Sequence, residues 1–146
     1  MEKIIFDTNI FRKILDGLID LKTIIDNKNK VEYIATHIQK DEIEQCKDAI
    51  IKEKLLSIFK EIDSKQIPTE TIVLGVSRLG MSKFSDGVLF EKLRKSNLKH
   101  TEDALIGETA IKNKLILVSE DRKFRNRVNK EGGKAIKLKE FEEMLK

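Results

Sequence analysis

A single cysteine (Cys46), two histidines (His37 and His100) and one proline stand in a chain of 146 residues that has no tryptophan. One cysteine excludes an internal disulfide framework and any cysteine-based zinc cluster. Two histidines leave no material for a His-rich metal centre, so a metal would have to be held by carboxylates. Aromatic residues make up 5% of the chain, too few for a platform on which successive bases stack. The longest apolar runs, such as Leu115 to Val118, fall far short of the ~20 residues needed to span a bilayer. Met1-Glu2-Lys3 leads straight into Ile4-Ile5-Phe6 without the apolar region or small-residue cleavage site of a secretory leader. No membrane partner and a cytoplasmic location are expected.

What is present is a chain 40% hydrophobic and 37% charged, with 29 Lys and Arg against 25 Asp and Glu. At ~150 residues per domain the expectation is one domain over residues 1–146, with a single core. The net charge of +4 is too mild to identify a partner; the placement of charges carries more.

Two apolar periods alternate along the chain. Short Ile- and Val-rich runs predict strands at Ile4–Phe6, Val31–Ala35, Leu115–Val118 and Ala135–Leu138. Helical spacing covers 9–26, 37–62, 86–96, 102–113, 122–130 and 139–145. This alternation predicts a three-layer α/β/α sandwich around a central, mainly parallel β-sheet. Asp63 to Gly87 breaks the pattern with Pro68 and three glycines, Gly75, Gly80 and Gly87. It reads as an irregular, partner- or substrate-facing excursion with a short extended piece at Thr71–Leu74. In the longest helical stretch the apolar face drifts between Cys46 and Leu55, which predicts a break near Lys52–Lys54. Gly132-Gly133 reads as a turn, Cys46 as a core residue, and both histidines as surface residues.

Four acids stand where a solvated surface acid would not. Asp7 directly follows the first strand, and Asp121 follows Leu115–Val118 after Ser119 and Glu120. If those strands are parallel neighbours, both acids project from the edge where open parallel sheets bind ligands. Glu42 falls on the apolar stripe between Ile38, Cys46 and Ala49; a carboxylate there either binds a cation or pairs with a lysine. Asp103 lies in the first turn of a helix with Thr101 as N-cap, and it shares a side with Ile106, Gly107 and Ala110. Glu102 shares Leu105 and Ile106, so periodicity leaves the choice between the two open.

Ile4-Ile5-Phe6-Asp7-Thr8-Asn9 resembles the opening of PIN-domain ribonucleases, whose first strand ends in Asp-Thr/Ser-Asn/Ser. Thr36 with Glu42, and Asp103-Ala104-Leu105-Ile106-Gly107 with Ala110, resemble the family's second and third acidic helices. Leu117-Val118-Ser119-Glu120-Asp121-Arg122-Lys123-Phe124 is similar to its last motif. The matches occur in order along almost the whole chain, and the size fits VapC-type toxins of toxin–antitoxin pairs. Many relatives carry another acid before that phenylalanine; Lys123 stands there here, which bears on a second metal position and not on the primary one.

The resemblance implies a Rossmann-like fold and a magnesium- or manganese-dependent endoribonuclease that leaves a 5′-phosphate. Asp7, Glu42, Asp103 and Asp121 would be its catalytic metal ligands, with Asn9 and Ser119 orienting them. It also implies a homodimer and an antitoxin partner. Four close carboxylates without metal repel one another and gain raised pKa values. Arg122, Lys123, Arg125 and Arg127 begin a basic stretch that reaches Lys137 against one acid, Glu131; with Arg94, Lys95 and Lys99 they make a candidate RNA-binding rim. Asn9 argues against a haloacid-dehalogenase reading, which needs a second aspartate there. A receiver domain lacks its acidic pair before the end of the first strand. A housekeeping RNA-processing nuclease and a non-cleaving binding module are the alternatives.

Overall fold

The computed structural model describes residues 1–70, 88–94 and 101–146. Thr71–Leu74, most of the Asp63–Gly87 excursion, Lys95, Lys99 and His100 lie outside the described residues. Five parallel strands, β1 (Glu2–Phe6), β2 (Val31–Ala35), β3 (Lys65–Gln66), β4 (Ile116–Val118) and β5 (Lys134–Ile136), form one sheet in the order β3-β2-β1-β4-β5. The helices are α1 (Thr8–Leu15), α2 (Leu21–Asp26), α3 (His37–Glu44), α4 (Ala49–Ile62), α5 (Val88–Arg94), α6 (Thr101–Lys112), α7 (Arg122–Lys130) and α8 (Leu138–Met144).

Alternation along the strands feeds two cores. Ile4, Phe6, Val31, Tyr33, Ile116 and Val118 pack with α1, α2, α4 and α8. Phe6 lies at their centre, with ring contacts to Phe11, Tyr33 and Phe141. Ile5, Ile34 and Leu117 face the other way, onto Leu105, Ile106, Phe124 and Val128. Apolar residues on both faces of every central strand are what a parallel sheet covered on both sides requires. The α/β/α expectation is met.

Several boundaries differ from the sequence reading. The stretch 9–26 divides because Gly17 takes φ +83, a left-handed stop that ends α1, and Asp20 then caps α2. The long stretch 37–62 breaks at Gln45–Asp48, ahead of Lys52–Lys54, because the Asp48 carboxylate accepts the Ile50 and Ile51 amides and starts a new helix. Residues 65–66, inside the supposed irregular excursion, add β3 to the sheet edge. Leu138 opens α8, and Thr101 is the first residue of α6, not its cap. Among the described residues no helix is long and apolar enough to cross a membrane.

Candidate active site

The order β3-β2-β1-β4-β5 places the topological switch between β1 and β4, the crevice where open parallel sheets hold ligands beyond the strand carboxyl ends. The register Ile4↔Ile116, Ile5↔Leu117, Phe6↔Val118 brings Asp7 level with Ser119. The Asp7 amide continues the ladder, donating to Val118 O at 2.9 Å.

Asp7 is the N-cap of α1 and is buried. Its Oδ1 accepts the Thr8 amide at 2.8 Å, and its Oδ2 accepts the Ser119 hydroxyl at 2.7 Å. Burial raises its pKa; the hydrogen bonds from Ser119 and Thr8 oppose the rise, and the charge of Asp121 adds to it. Asp121 caps α7, accepting the Phe124 amide at 3.1 Å, and its own amide donates to Ser119 Oγ at 3.1 Å. Ser119 thus links the two acids at the strand ends. Asn9, on the first turn of α1, has a buried Oδ1 with no hydrogen-bond partner.

Glu42 reaches this edge from α3. Its Oε1 accepts the Thr8 hydroxyl at 2.7 Å, so Thr8 joins Asp7 and Glu42 through adjacent backbone and side-chain donors. The apolar stripe that suggested Glu42 is interrupted: α3 ends at Glu44, and Cys46 and Ala49 fall outside it. Burial raises the Glu42 pKa, the Thr8 hydrogen bond opposes this, and the charge of Glu102 raises it further. Asp103, on the first turn of α6, is pushed up to about 7 by burial and by the charges of Asp7 and Asp121, while Arg127 pulls it down. Glu102 acts most on Glu42, and Asp7 and Asp121 most on Asp103, although Asp7 also raises Glu42 and Glu102 also raises Asp103.

Gly107 lets α6 approach closely enough for this. A Cβ there would stand 3.1 Å from the Phe124 ring and 3.2 Å from a Val128 methyl. Thr8 and Gln39 were not singled out from the sequence, whereas Glu102, open there as an alternative to Asp103, acts on Glu42. Gln39 accepts from Thr36 N and Oγ1 and donates to Phe6 O at 3.1 Å, locking α3 to the end of β1. Spacing signals the local Thr36–Gln39 capping box but not the contacts of Gln39 with Phe6 or of Thr8 and Glu102 with Glu42, because those are made between separate elements.

Two readings of minor residues are corrected. His37 is buried, with Nδ1 2.9 Å from Asp41 Oδ2, because i and i+4 positions meet on one helix face. Cys46 is half-buried in the α3–α4 turn, outside either core cluster, with Sγ 3.7 Å from Asp48 O.

Among the described residues no group of three or more acidic, histidine or cysteine side chains is drawn together tightly enough to enclose a cation. The donor set nevertheless fits a hard divalent ion in its chemistry: oxygen ligands only, largely withdrawn from water, and mutually repelling where no cation neutralises them. The orphaned Asn9 Oδ1 adds one more oxygen beside Asp7.

No protein-family model and no curated protein sequence matches the chain. Solved structures do. One is PAE2754 from Pyrobaculum aerophilum, with a TM-score of 0.58 at 12% identity, covering 99% of this chain and 95% of that one. Another is VapBC2 from Rickettsia felis, in a crystal structure bound to a DNA fragment from its promoter, with a TM-score of 0.55 at 17% identity, covering 92% and 98%. With the strand order and the layering described above, these likenesses give the chain the VapC-type PIN fold.

Proposed function

We propose that the chain is a metal-dependent endoribonuclease, acting as the toxin of a toxin–antitoxin pair in the cytoplasm. One observation carries the reading. Carboxylates from four separated segments come within electrostatic reach of one another at the topological switch of a parallel sheet, where burial and mutual repulsion raise three of them.

Asp7, Glu42, Asp103 and Asp121 would hold Mg²⁺ or Mn²⁺. When bound, such an ion supplies positive charge to the phosphate and makes a water a stronger nucleophile. The chain's own residues do the positioning. Ser119 fixes one Asp7 oxygen and the Asp121 amide together. Thr8 fixes one Glu42 oxygen and, through its amide, the other Asp7 oxygen. The Asp7 and Glu42 carboxylates are thereby oriented, as an orienting shell requires. Arg122 and Lys123, exposed at the start of α7 directly after Asp121, supply charge for a phosphate backbone.

The likeness to VapBC2 supports an antitoxin as partner, and the toxin reading carries with it a homodimer of single-domain protomers. The test is cleavage of a broad RNA transcript pool with Mg²⁺ or Mn²⁺, against EDTA and against Asp7→Asn. Metal-dependent cleavage that Asp7→Asn abolishes is expected. A folded, metal-loaded preparation that cuts no RNA would overturn the reading, as would full activity in Asp7→Asn.

A further inference from the structure

The four basic residues at the start of α7 have different surroundings. Arg125 Nη1 donates to Ser119 O at 2.7 Å and is committed to the strand end. Arg122 and Lys123 are exposed. Arg127 is half-buried, with its guanidinium carbon 5.7 Å from the centre of the Phe124 ring. Phe124 in turn packs against Gly107, one turn along α6 from Asp103. A planar group resting on a buried ring has little freedom to turn.

Two Arg127 nitrogens, Nε and Nη2, are withdrawn from solvent and have no hydrogen-bond partner. These atoms lie on the same edge of the guanidinium, where two N–H bonds run side by side and match the paired oxygens of a carboxylate or a phosphate. Leaving such donors buried and unpaired costs free energy. The neighbouring acid that feels Arg127 is Asp103, and no hydrogen bond joins them, so this edge has no partner within the described residues. A phosphodiester brought to the acidic group carries two non-bridging oxygens in the arrangement this edge accepts.

Resting on the phosphodiesterase reading of the site, we infer that Arg127 is a substrate-contact residue whose Nε–Nη2 edge grips the non-bridging oxygens of one RNA phosphate beside Asp103. Phe124 sets the plane of the fork and Gly107 sets its distance from α6. Lysine could supply the charge but not the two parallel donors.

The test compares wild type, Arg127→Met and Arg127→Lys. Affinity for a fluorescent single-stranded RNA is measured in EDTA over a salt series, and Mn²⁺ affinity is measured without RNA. Thermal unfolding confirms that each variant is folded, and Arg127→Gln replaces Arg127→Met if the latter is not. Both variants are expected to lose RNA affinity about ten- to hundredfold. The salt slope of Arg127→Met should fall by about 0.7, one phosphate contact on a single strand, while Mn²⁺ affinity does not fall. Wild-type RNA affinity in Arg127→Lys would overturn the inference, because a point charge would then suffice. Unchanged binding in Arg127→Met would also overturn it. So would Mn²⁺ affinity that drops in step with RNA affinity, since Arg127 would then act on Asp103. A wild-type protein that neither binds nor cleaves RNA fails the underlying reading itself, which is a different result.

Discussion

The Ser119 hydroxyl donates to Asp7 Oδ2 at 2.7 Å across 112 residues of sequence, and Ser119 Oγ accepts the Asp121 amide at 3.1 Å. Parallel pairing of β1 with β4 makes this contact unavoidable, because Phe6 opposite Val118 leaves the next residue of each strand side by side. Ser119→Ala removes the donor and leaves a buried carboxylate oxygen unpaired. A loss of about 1–3 kcal/mol in unfolding free energy is expected in chemical denaturation at neutral pH, with weaker Mn²⁺ binding. A denaturation midpoint equal to that of wild type would refute the link.

Thr8 does for Glu42 what Ser119 does for Asp7. Thr8→Val keeps the shape and the amide to Asp7 Oδ1 but deletes the hydroxyl that holds Glu42 Oε1 at 2.7 Å. Loss of one charge-assisted hydrogen bond is worth about 1.5–3 kcal/mol, felt here as roughly tenfold or greater loss of RNA cleavage at limiting Mn²⁺. Thr8→Ser retains the hydroxyl and should restore most of the activity. Equal loss in both variants would place the effect in packing.

Stability should depend on pH in a direction opposite to that of a salt-bridged acid. The folded-state pKa of Asp103 is raised to about 7, and those of Asp7 and Glu42 are raised as well, above unfolded values of about 4. Between those limits the folded chain binds more protons than the unfolded one, so these groups lower stability as pH rises from about 4 to 7. In EDTA, the wild-type melting temperature relative to Asp103→Asn should therefore fall as pH increases across that window. Mn²⁺ competes with the same protons, so its affinity should weaken below about pH 7. A wild-type minus Asp103→Asn difference that stays flat from pH 4 to 8 would contradict the assignment.

Gly107 is a packing requirement of the site. A methyl group there meets Phe124, Val128 and Leu93 at 3.1–3.3 Å, and overpacking of this kind costs about 1–3 kcal/mol. Gly107→Ala should lower the melting temperature and also reduce cleavage, because α6 carries Asp103 and α7 carries Asp121. Destabilisation with unchanged cleavage at a temperature where the variant is folded would separate packing from function.

The central strands were readable because Ile4-Ile5-Phe6 and Ile116-Leu117-Val118 are buried on both faces and hence apolar without interruption. Asp7 and Asp121 followed from those strands directly. β3 was not readable: Lys65 and Gln66 are both exposed at the sheet edge, so no alternation marks them. The α3–α4 break was misplaced because a drifting apolar face says only that a helix must bend; Asp48 as a cap says where. His37 reads as a surface residue from the sequence because its burial goes with a partner one turn along, Asp41. Thr8 and Glu102 are neighbours of Glu42 only in three dimensions, and periodicity within one element carries no information about the next.

The central claim is that the acids at the carboxyl end of β1 and β4 bind a divalent cation. Calorimetric titration of Mn²⁺ into the EDTA-stripped, dialysed protein at pH 8 tests it most directly, with wild type, Asp7→Asn and Asp103→Asn compared. Saturable binding by wild type, weakened at least tenfold in each variant, is the predicted result. No binding by folded wild type, or equal binding by all three proteins, would contradict it.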